Sequence, residues 1–316
     1  MYETPILLTP DDFIYTMIEK ESEDFLFVSP HGLKLVNEMG DVYYHKDVVV
    51  PYHEHKRGYE TFMIDRGSVL VTINGKRCTI GEGDIMHIEP HVSHEFTYLE
   101  EGTIWREIFH GMDLYGGIYE KNMIFRCFPG MLEDPAAMAK FRARQNSART
   151  GQVEPEIVPK EQMPQVRAKG GALRSFSFDG ITCNLKVGRW EIAGECEMWE
   201  LVFDRDMVLE WKEPNPEWSL YVVREGQVEV TAATKTYIAK KRDILHIPPY
   251  VPHTFRMLDE NTTIHALYCK SQLLHLLEEL DLLRSRDPEL LKDDALLREL
   301  MRKHKCFVTG FRKIRQ

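Results

Sequence analysis

The chain has 316 residues, of which 43% are hydrophobic and 10% aromatic, and carries a formal net charge of −10 at pH 7. This length and composition suit two domains, each with its own core, and exclude a disordered chain. The negative charge works against nonspecific attraction to nucleic acid or anionic membranes, and the short basic end from Arg312 to Arg315 does not reverse it. No apolar run reaches the length of a membrane span, and residues 1–5 show neither the basic start nor the apolar core of an export signal. The expectation is a soluble, cytoplasmic protein. Its six cysteines, at 78, 127, 183, 196, 269 and 306, show no Cys-x-x-Cys spacing and read as reduced thiols.

Thr9 as N-cap, Pro10 at the first helical position and Asp11 and Asp12 in the first turn predict a short helix to about Glu21. From Leu33 to about Phe109 the chain reads as β. Its short β-branched and aromatic runs lie at 42–44, 48–50, 61–64, 69–73 and 104–109, and Asn74-Gly75 signals a hairpin turn. Asp134 and Pro135 open a helix over roughly 134–148. Residues 152–171, with Pro155, Pro159, Pro164 and a Gly170-Gly171 pair, read as an extended connector. Strands resume over about 173–268. Apolar residues at helical spacing from Ser271 and from Pro288 then predict two amphipathic helices, whose leucine face is a packing surface.

Residues 67–96 and 226–255, at a constant offset of 159, share thirteen identities in thirty positions without a gap. Among them are Asp84/Asp243, His87/His246, Pro90/Pro249 and His94/His253. Self-similarity of this kind marks a duplicated domain.

The first copy carries the constellation most suggestive of chemistry. His53 and His55, two apart on a strand, present their rings to one side. Glu60 follows a Gly58 that can bend the chain, and His94 comes from another strand. The four can converge as three nitrogens and one carboxylate oxygen around a divalent ion. A lone His-x-His is more often a plain structural pair, but the added carboxylate and second histidine element favour a metal.

These residues resemble the two motifs of the cupin superfamily, G-x5-H-x-H-x3,4-E-x6-G and G-x5-P-x-G-x2-H-x3-N. The stretch from His53 through His55 and Glu60 to Gly67 fits the first, with Asp47 in place of its leading Gly. Gly83 and His94 fit the second, where Glu89 holds the Pro position, His91 the inner Gly and Tyr98 the final Asn; the second copy keeps Pro248. The resemblance implies a bicupin: mainly β, two double-stranded β-helix (jelly-roll) barrels, with helical additions at the N-terminus, in the linker and at the C-terminus. The implied division is 1–130 for the first cupin domain, 131–171 for helix and linker, 172–270 for the second cupin domain and 271–316 for the terminal helices. It also implies that His53, His55, Glu60 and His94 are metal ligands, with Glu60 a proton carrier if it leaves the metal.

The 159 offset places Lys212, Pro214 and Ser219 at the His53, His55 and Glu60 positions, leaving only His253 in the second copy, unless Glu213 or Glu217 reaches in. One imidazole does not hold a divalent ion. His87, matched by His246 in the half without ligands, reads as structural, and His91 as an exposed loop histidine. Tyr52, Tyr59, Phe62, Phe96, Trp105 and Arg106 are candidate substrate contacts. Either Arg106 or the set Trp105, Glu107 and Phe109 faces the barrel interior, since neighbours on a strand alternate.

Three nitrogens and a carboxylate suit one transition metal per chain, with Mn most favoured and Fe, Zn, Ni or Co possible. Open coordination positions suit an enzyme acting on a small carbonyl or enol substrate, for example a 1,3-dicarbonyl, by Lewis-acid C–C hydrolysis, lyase or isomerase chemistry. A non-haem dioxygenase of a diketone, phenol or flavonoid and a non-catalytic small-molecule-binding or regulatory bicupin are the alternatives. No basic helix-turn-helix precedes the barrels. The partners expected are a small-molecule substrate and a second copy in a homodimer, without nucleic acid or membrane.

Overall fold

Asn74 and Gly75 both take positive φ, 46° and 77°, and turn the chain between strands Ser68–Ile73 and Lys76–Gly81, whose ends pair Ile73 with Lys76. A two-residue turn with both residues at positive φ has the twist a hairpin needs. The computed structural model describes residues 6–12, 15–18, 22–28, 37–112, 114–144, 146–151, 154–194, 196–205, 207–213, 219–268 and 273–313. The chain divides into two units, Asp12–Gly171 and Tyr2–Asp11 with Ala172–Gln316.

The first unit is built from two sheets. A six-stranded sheet runs in the order Ser147–Arg149, Val49–His55, His94–Tyr98, Ser68–Ile73, Lys76–Gly81, Glu156–Ile157. A seven-stranded one runs Val166–Arg167, Ile85–Ile88, Tyr59–Arg66, Thr103–His110, Asn37–Tyr44, Ser22–Val28, Tyr15–Ile18. Their apolar residues, Phe62, Ile64, Val71, Ile88, Phe96 and Trp105 among them, form one buried cluster.

The second unit repeats the arrangement. Its seven-stranded sheet contains Ile244–Ile247, Ser219–Glu225, Thr262–Tyr268 and Glu197–Phe203 in consecutive order, the places that Ile85–Ile88, Tyr59–Arg66, Thr103–His110 and Asn37–Tyr44 hold in the first. Its five-stranded sheet runs Lys235–Lys240, Gln227–Ala232, His253–Met257, Met207–Glu213, Phe307–Lys313. The duplication legible in residues 67–96 is thus a duplication of strand order.

Four α-helices are described: α1 Leu114–Cys127, α2 Pro135–Arg144, α3 Leu273–Arg286 and α4 Asp294–His304. Leu273, Leu274, Leu276, Leu277 and Leu280 of α3 are buried in the second core, so the leucine face is a packing face. Asp293 caps α4 by accepting from the amides of Ala295 and Leu296.

One expectation requires correction. The N-terminal helix is absent among the described residues: Ile6–Leu8 and Tyr15–Ile18 are strands, paired with Ile244–Ile247 and Ser22–Val28, and Glu21 lies outside the described residues. Thr9 does accept from the Asp11 amide, at 3.4 Å, but the bond closes a turn instead of opening a helix. Strand pairing has overridden the local cap signal. The connector is extended as expected, yet it is fastened along the first unit: Val158, Met163 and Val166 join its core, and Asp84 accepts from the Lys160 ammonium and the Lys169 amide. Strand Ile6–Leu8 groups with the second unit, to whose sheet it adds a strand.

Candidate metal centre

Strand Val49–His55 carries a β-bulge. His53 pairs with His94 while Val50 pairs with Phe96, so three steps along one strand answer two along the other. Pro51 lies in the bulge, the place within a sheet where its missing N–H is tolerated. The Pro51 carbonyl accepts from His53 Nδ1 at 2.8 Å, and the Val92 carbonyl accepts from His94 Nδ1 at 2.8 Å. Each bond fixes the ring and holds the proton on Nδ1, leaving Nε2 with its lone pair.

Ring centroids of His53 lie 5.1 Å from His55 and 4.3 Å from His94, and one ring nitrogen from each of the three histidines falls within 4.8 Å of the others. Glu60 closes the group, its two oxygens 3.4 Å from His55 Nε2 and 3.2 Å from His94 Nε2. Inside this cluster Glu60 Oε2 and His94 Nε2 face each other at 3.2 Å without a well-aligned hydrogen bond, and His55 Nδ1 is buried without one. Burial, reinforced by the neighbouring His94 imidazole, lowers the His53 pKa to about 3. Burial opposes ionisation of Glu60, but the His55 and His94 imidazoles outweigh it and lower its pKa to about 2. Near neutral pH His53 is therefore neutral and Glu60 charged, the forms in which each can bind a cation. The donor set and its orphaned atoms fit a divalent ion, and the sequence-derived quartet comes together as one cluster.

The cluster opens into a cavity of about 220 Å³. Phe62, Phe96, Trp105, Phe109, Tyr44 and Val50 line its apolar wall; Glu107 and Ser147 add polar groups; Leu114, Ile118 and Lys121 reach it from α1. Spacings of four and three put the α1 residues on one helix face. Glu38, on the strand beside Glu107, accepts from the Leu114 and Tyr115 amides at 2.8 and 3.0 Å and so anchors the start of α1.

Of the candidate substrate contacts, Phe62, Phe96 and Trp105 line the cavity, whereas Tyr52, Tyr59 and Arg106 do not. Strand alternation gives the reason. Trp105, Glu107 and Phe109 face inward, so Arg106 faces the other way, buried in a two-pronged pair with Asp41 at 2.6 and 3.0 Å. Tyr59 sits on the face opposite Glu60 and Phe62, its ring stacked on His87, and Thr61 on that same face lies 2.9 Å from His87 Nδ1. His87 is thereby structural, and His91 is exposed with φ 63°. Tyr44, Val50, Lys121 and Ser147 were not anticipated as lining, and Glu107 only as one side of an open choice; none belongs to a motif.

A cupin-domain model matches residues 41–104, and an AraC-like ligand binding domain model matches residues 210–311. The first match spans the whole histidine and glutamate group. Among solved structures, oxalate decarboxylase from Bacillus subtilis at pH 4.6 is 14% identical with a TM-score of 0.53, covering 89% of this chain and 82% of its own. The chain has the bicupin fold. A structure of the same enzyme concerned with its Mn(II) centres gives 14% and a TM-score of 0.52, over 83% of this chain and 76% of that one. The coconut allergen cocosin gives 12% and 0.55, over 85% and 86%. Likenesses at this identity carry the fold alone. No curated protein matches.

The bicupin's second barrel departs from the first at the same places. Its strand Met207–Glu213 has no bulge against His253–Met257, so Trp211, not Lys212, pairs with His253 as His53 pairs with His94. The constant offset therefore fails by one residue beyond Pro51, and Pro214 and Glu217 lie outside the described residues. Ser219 does hold the Glu60 position, pairing with Ile247 and Tyr268 as Glu60 pairs with Ile88 and Phe109. His253 Nε2 lies 3.5 Å from the Tyr221 hydroxyl. Among the described residues only His53, His55 and His94 form a histidine group suited to a metal.

Proposed function

We propose that the bicupin is a divalent-metal-dependent enzyme that acts on a small oxygenated substrate in the first barrel. His53, His55, His94 and Glu60 hold the metal, with Mn the favoured ion. The observation that carries this reading is the convergence of three histidine rings and the Glu60 carboxylate at one end of the cavity, with Glu60 Oε2 and His94 Nε2 buried and not joined by a well-aligned hydrogen bond. Poorly satisfied buried polar groups are costly, and a cation between them offsets that cost. The ion, when bound, supplies Lewis acidity toward a carbonyl or enol oxygen.

The remaining work falls to the chain's own groups. The hydrogen bonds from His53 and His94 to the Pro51 and Val92 carbonyls fix the rings, so no reorganisation accompanies binding. Phe62, Phe96 and Trp105, with mutual centroid distances of 4.5 to 5.3 Å, exclude water around the substrate. Glu60 would carry a proton only on leaving the metal, since beside the histidines it is held charged. Glu107 is placed to accept one on the far side, with the Tyr115 hydroxyl donating to its Oε2 at 3.3 Å. Such groups suit C–C hydrolysis, lyase or isomerase chemistry on a 1,3-dicarbonyl.

Elemental analysis of the purified chain should find close to one transition metal per chain. His55→Ala should remove it and His253→Ala should leave it. Equal loss from both variants would sink the one-site reading. Turnover of 1,3-dicarbonyls under strict anoxia supports the redox-neutral chemistry, whereas oxygen uptake would move the assignment to a dioxygenase. The AraC-like match over residues 210–311 favours one other role, ligand binding without turnover, and saturable binding with an unchanged ligand would establish it.

A further inference from the structure

The duplication reaches beyond the barrels to the short strands that flank them. Leu7 pairs with Leu245 and Leu8 with Ile244 in the second unit, as Val166 pairs with Met86 and Arg167 with Ile85 in the first, in the same 159 offset. Strand Ile6–Leu8 thus does for the second unit what Val166–Arg167 does for the first.

In the first unit the flanking segment makes one attachment more. Upstream of Val166, strand Glu156–Ile157 lies parallel along the outer side of Lys76–Gly81, with Glu156 opposite Lys76 and Ile157 opposite Arg77. The Glu156 amide donates to the Gly75 carbonyl at 2.8 Å, and the Val158 amide to the Arg77 carbonyl at 2.9 Å. Val158 joins the core cluster that includes Cys78, which is 5% exposed.

The second unit has the same strand without the added one. Lys235–Lys240 follows a two-residue turn at Ala233 and Thr234 and is the outermost strand of its five-stranded sheet among the described residues. The Thr234 and Thr236 carbonyls stand where those of Gly75 and Arg77 accept, and receive no backbone hydrogen bond among the described residues. Tyr237, in the place of Cys78, is half-buried, and Ile238 is 48% exposed. A strand edge with bare peptide groups and exposed apolar side chains is a template for a further strand.

The charge on the edge selects what pairs with it. Glu156 opposite Lys76 is a favourable cross-strand pair, and Lys235 repeats Lys76. Lys235 and Lys240 are exposed at the two ends of the strand. An antiparallel, centred pairing of two copies of this edge sets Lys235 of each copy against Lys240 of the other, and like charges directly opposite are unfavourable. An acidic strand meets the lysines with the opposite sign.

We propose that the edge of Lys235–Lys240 is a docking site for an extended acidic segment of a partner protein, which adds to the sheet as a parallel strand in the register that residues 156–158 take in the first unit. The segment carries an acidic residue opposite Lys235 and, two residues later, an apolar one that covers Tyr237. The residue between them faces solvent, as Ile157 does at 84% exposure, and is open to any side chain.

Fluorescence anisotropy with the labelled peptide Glu-Pro-Glu-Ile-Val-Pro, the sequence of residues 154–159, tests this on the full chain. Binding should saturate, and hydrogen exchange should slow over residues 234–240 when the peptide is bound. Thr236→Pro removes an amide that points off the sheet and should abolish binding. Lys235→Glu should weaken binding about fivefold, the range of reversing one exposed cross-strand charge pair, and it decides the matter if the proline variant fails to fold. A peptide with Lys in place of its second Glu should bind the parent weakly and regain affinity for Lys235→Glu. No saturable binding, affinity indifferent to Lys235→Glu, or protection confined to residues 76–81 overturns the proposal. Protection of residues 234–240 that grows with protein concentration in the absence of peptide would give the edge to a second copy, and overturns it equally.

Discussion

The two barrels share a strand order and differ at two positions that decide what each interior contains. In the first, Gly40 pairs with Glu107; in the second, the residues 159 further on, Trp199 and Ala266, pair in the same register. The pair of a residue without a side chain and a carboxylate leaves a polar cavity. The pair of an indole and a methyl group fills the same space, and Trp199 and Ala266 are both fully buried in the second core. The second difference is the bulge at Pro51, present where His53 and His55 turn inward and absent where strand Met207–Glu213 pairs with His253–Met257. One duplicated scaffold thus yields an open barrel with ligands and a packed barrel with His253 alone of the four ligand positions. A β-barrel needs a filled interior for stability, and function requires one of the two to leave part of it empty.

Four experiments would break or sharpen this contrast. Deleting Pro51 should have the largest effect. It removes the extra residue and leaves His53 paired with His94 in a regular ladder, as Trp211 is paired with His253, but it takes away the added local twist with which the bulge aims the histidines. Metal content should fall to near zero while circular dichroism still reports a β protein. Retained metal would show that the bulge does not aim the histidines. Gly40→Trp should come next, closing the first cavity as Trp199 closes the second. Binding of 1,3-dicarbonyls should be lost with the metal still present, and intact binding would contradict the pairing argument.

Arg106→Met tests the outer face of the same strand. The guanidinium and the Asp41 carboxylate are both fully buried, and removing one partner leaves an uncompensated charge, at a cost of about 3–5 kcal/mol. The second barrel places His265 and Glu200 at these positions, 3.3 Å apart, so the buried pair is repeated with different chemistry. Chemical denaturation should show a lower midpoint for Arg106→Met, whereas a KM effect without loss of stability would return Arg106 to the substrate.

The smallest effect concerns pH. Burial lowers His246 and His253 of the second barrel from 6.5 to about 4. Between these values the unfolded chain takes up protons that the folded chain does not. Their stabilising contribution is complete above pH 6.5 and is lost as pH falls toward 4, on the order of 1 kcal/mol per pH unit and per imidazole. A melting temperature that held constant from pH 6.5 to 4.5 in the His246→Leu and His253→Leu double variant, but fell in the parent, would assign the acid sensitivity to these two rings.

The ligand group was legible because it rests on short-range features: a strand alternates, so His53 and His55 share a face, and the hairpin at Asn74-Gly75 is local chemistry. The repeat was legible because thirteen positions coincide in one gapless window. The bulge was not, since a one-residue slip within a strand appears only when two strands are laid side by side. Helix α1 was hidden for another reason. Gly116-Gly117 weakens its intrinsic helix propensity, and it forms on tertiary support, Glu38 holding its first amides and Leu114 and Ile118 its apolar side. Glu107 could be placed only as an alternative to Arg106, because alternation defines two faces without naming the inner one.

The anchoring of α1 by Glu38 separates two kinds of inheritance. The proposed metal ligands lie between positions 53 and 94 on strands whose register is set by the whole barrel, and changes there disturb everything. Leu114, Ile118 and Lys121, which line the cavity from α1, lie on a helix attached at its first turn by one carboxylate. Their side chains can be exchanged without moving a strand, so a descendant of this chain can acquire a new substrate while its ion site stays as it is.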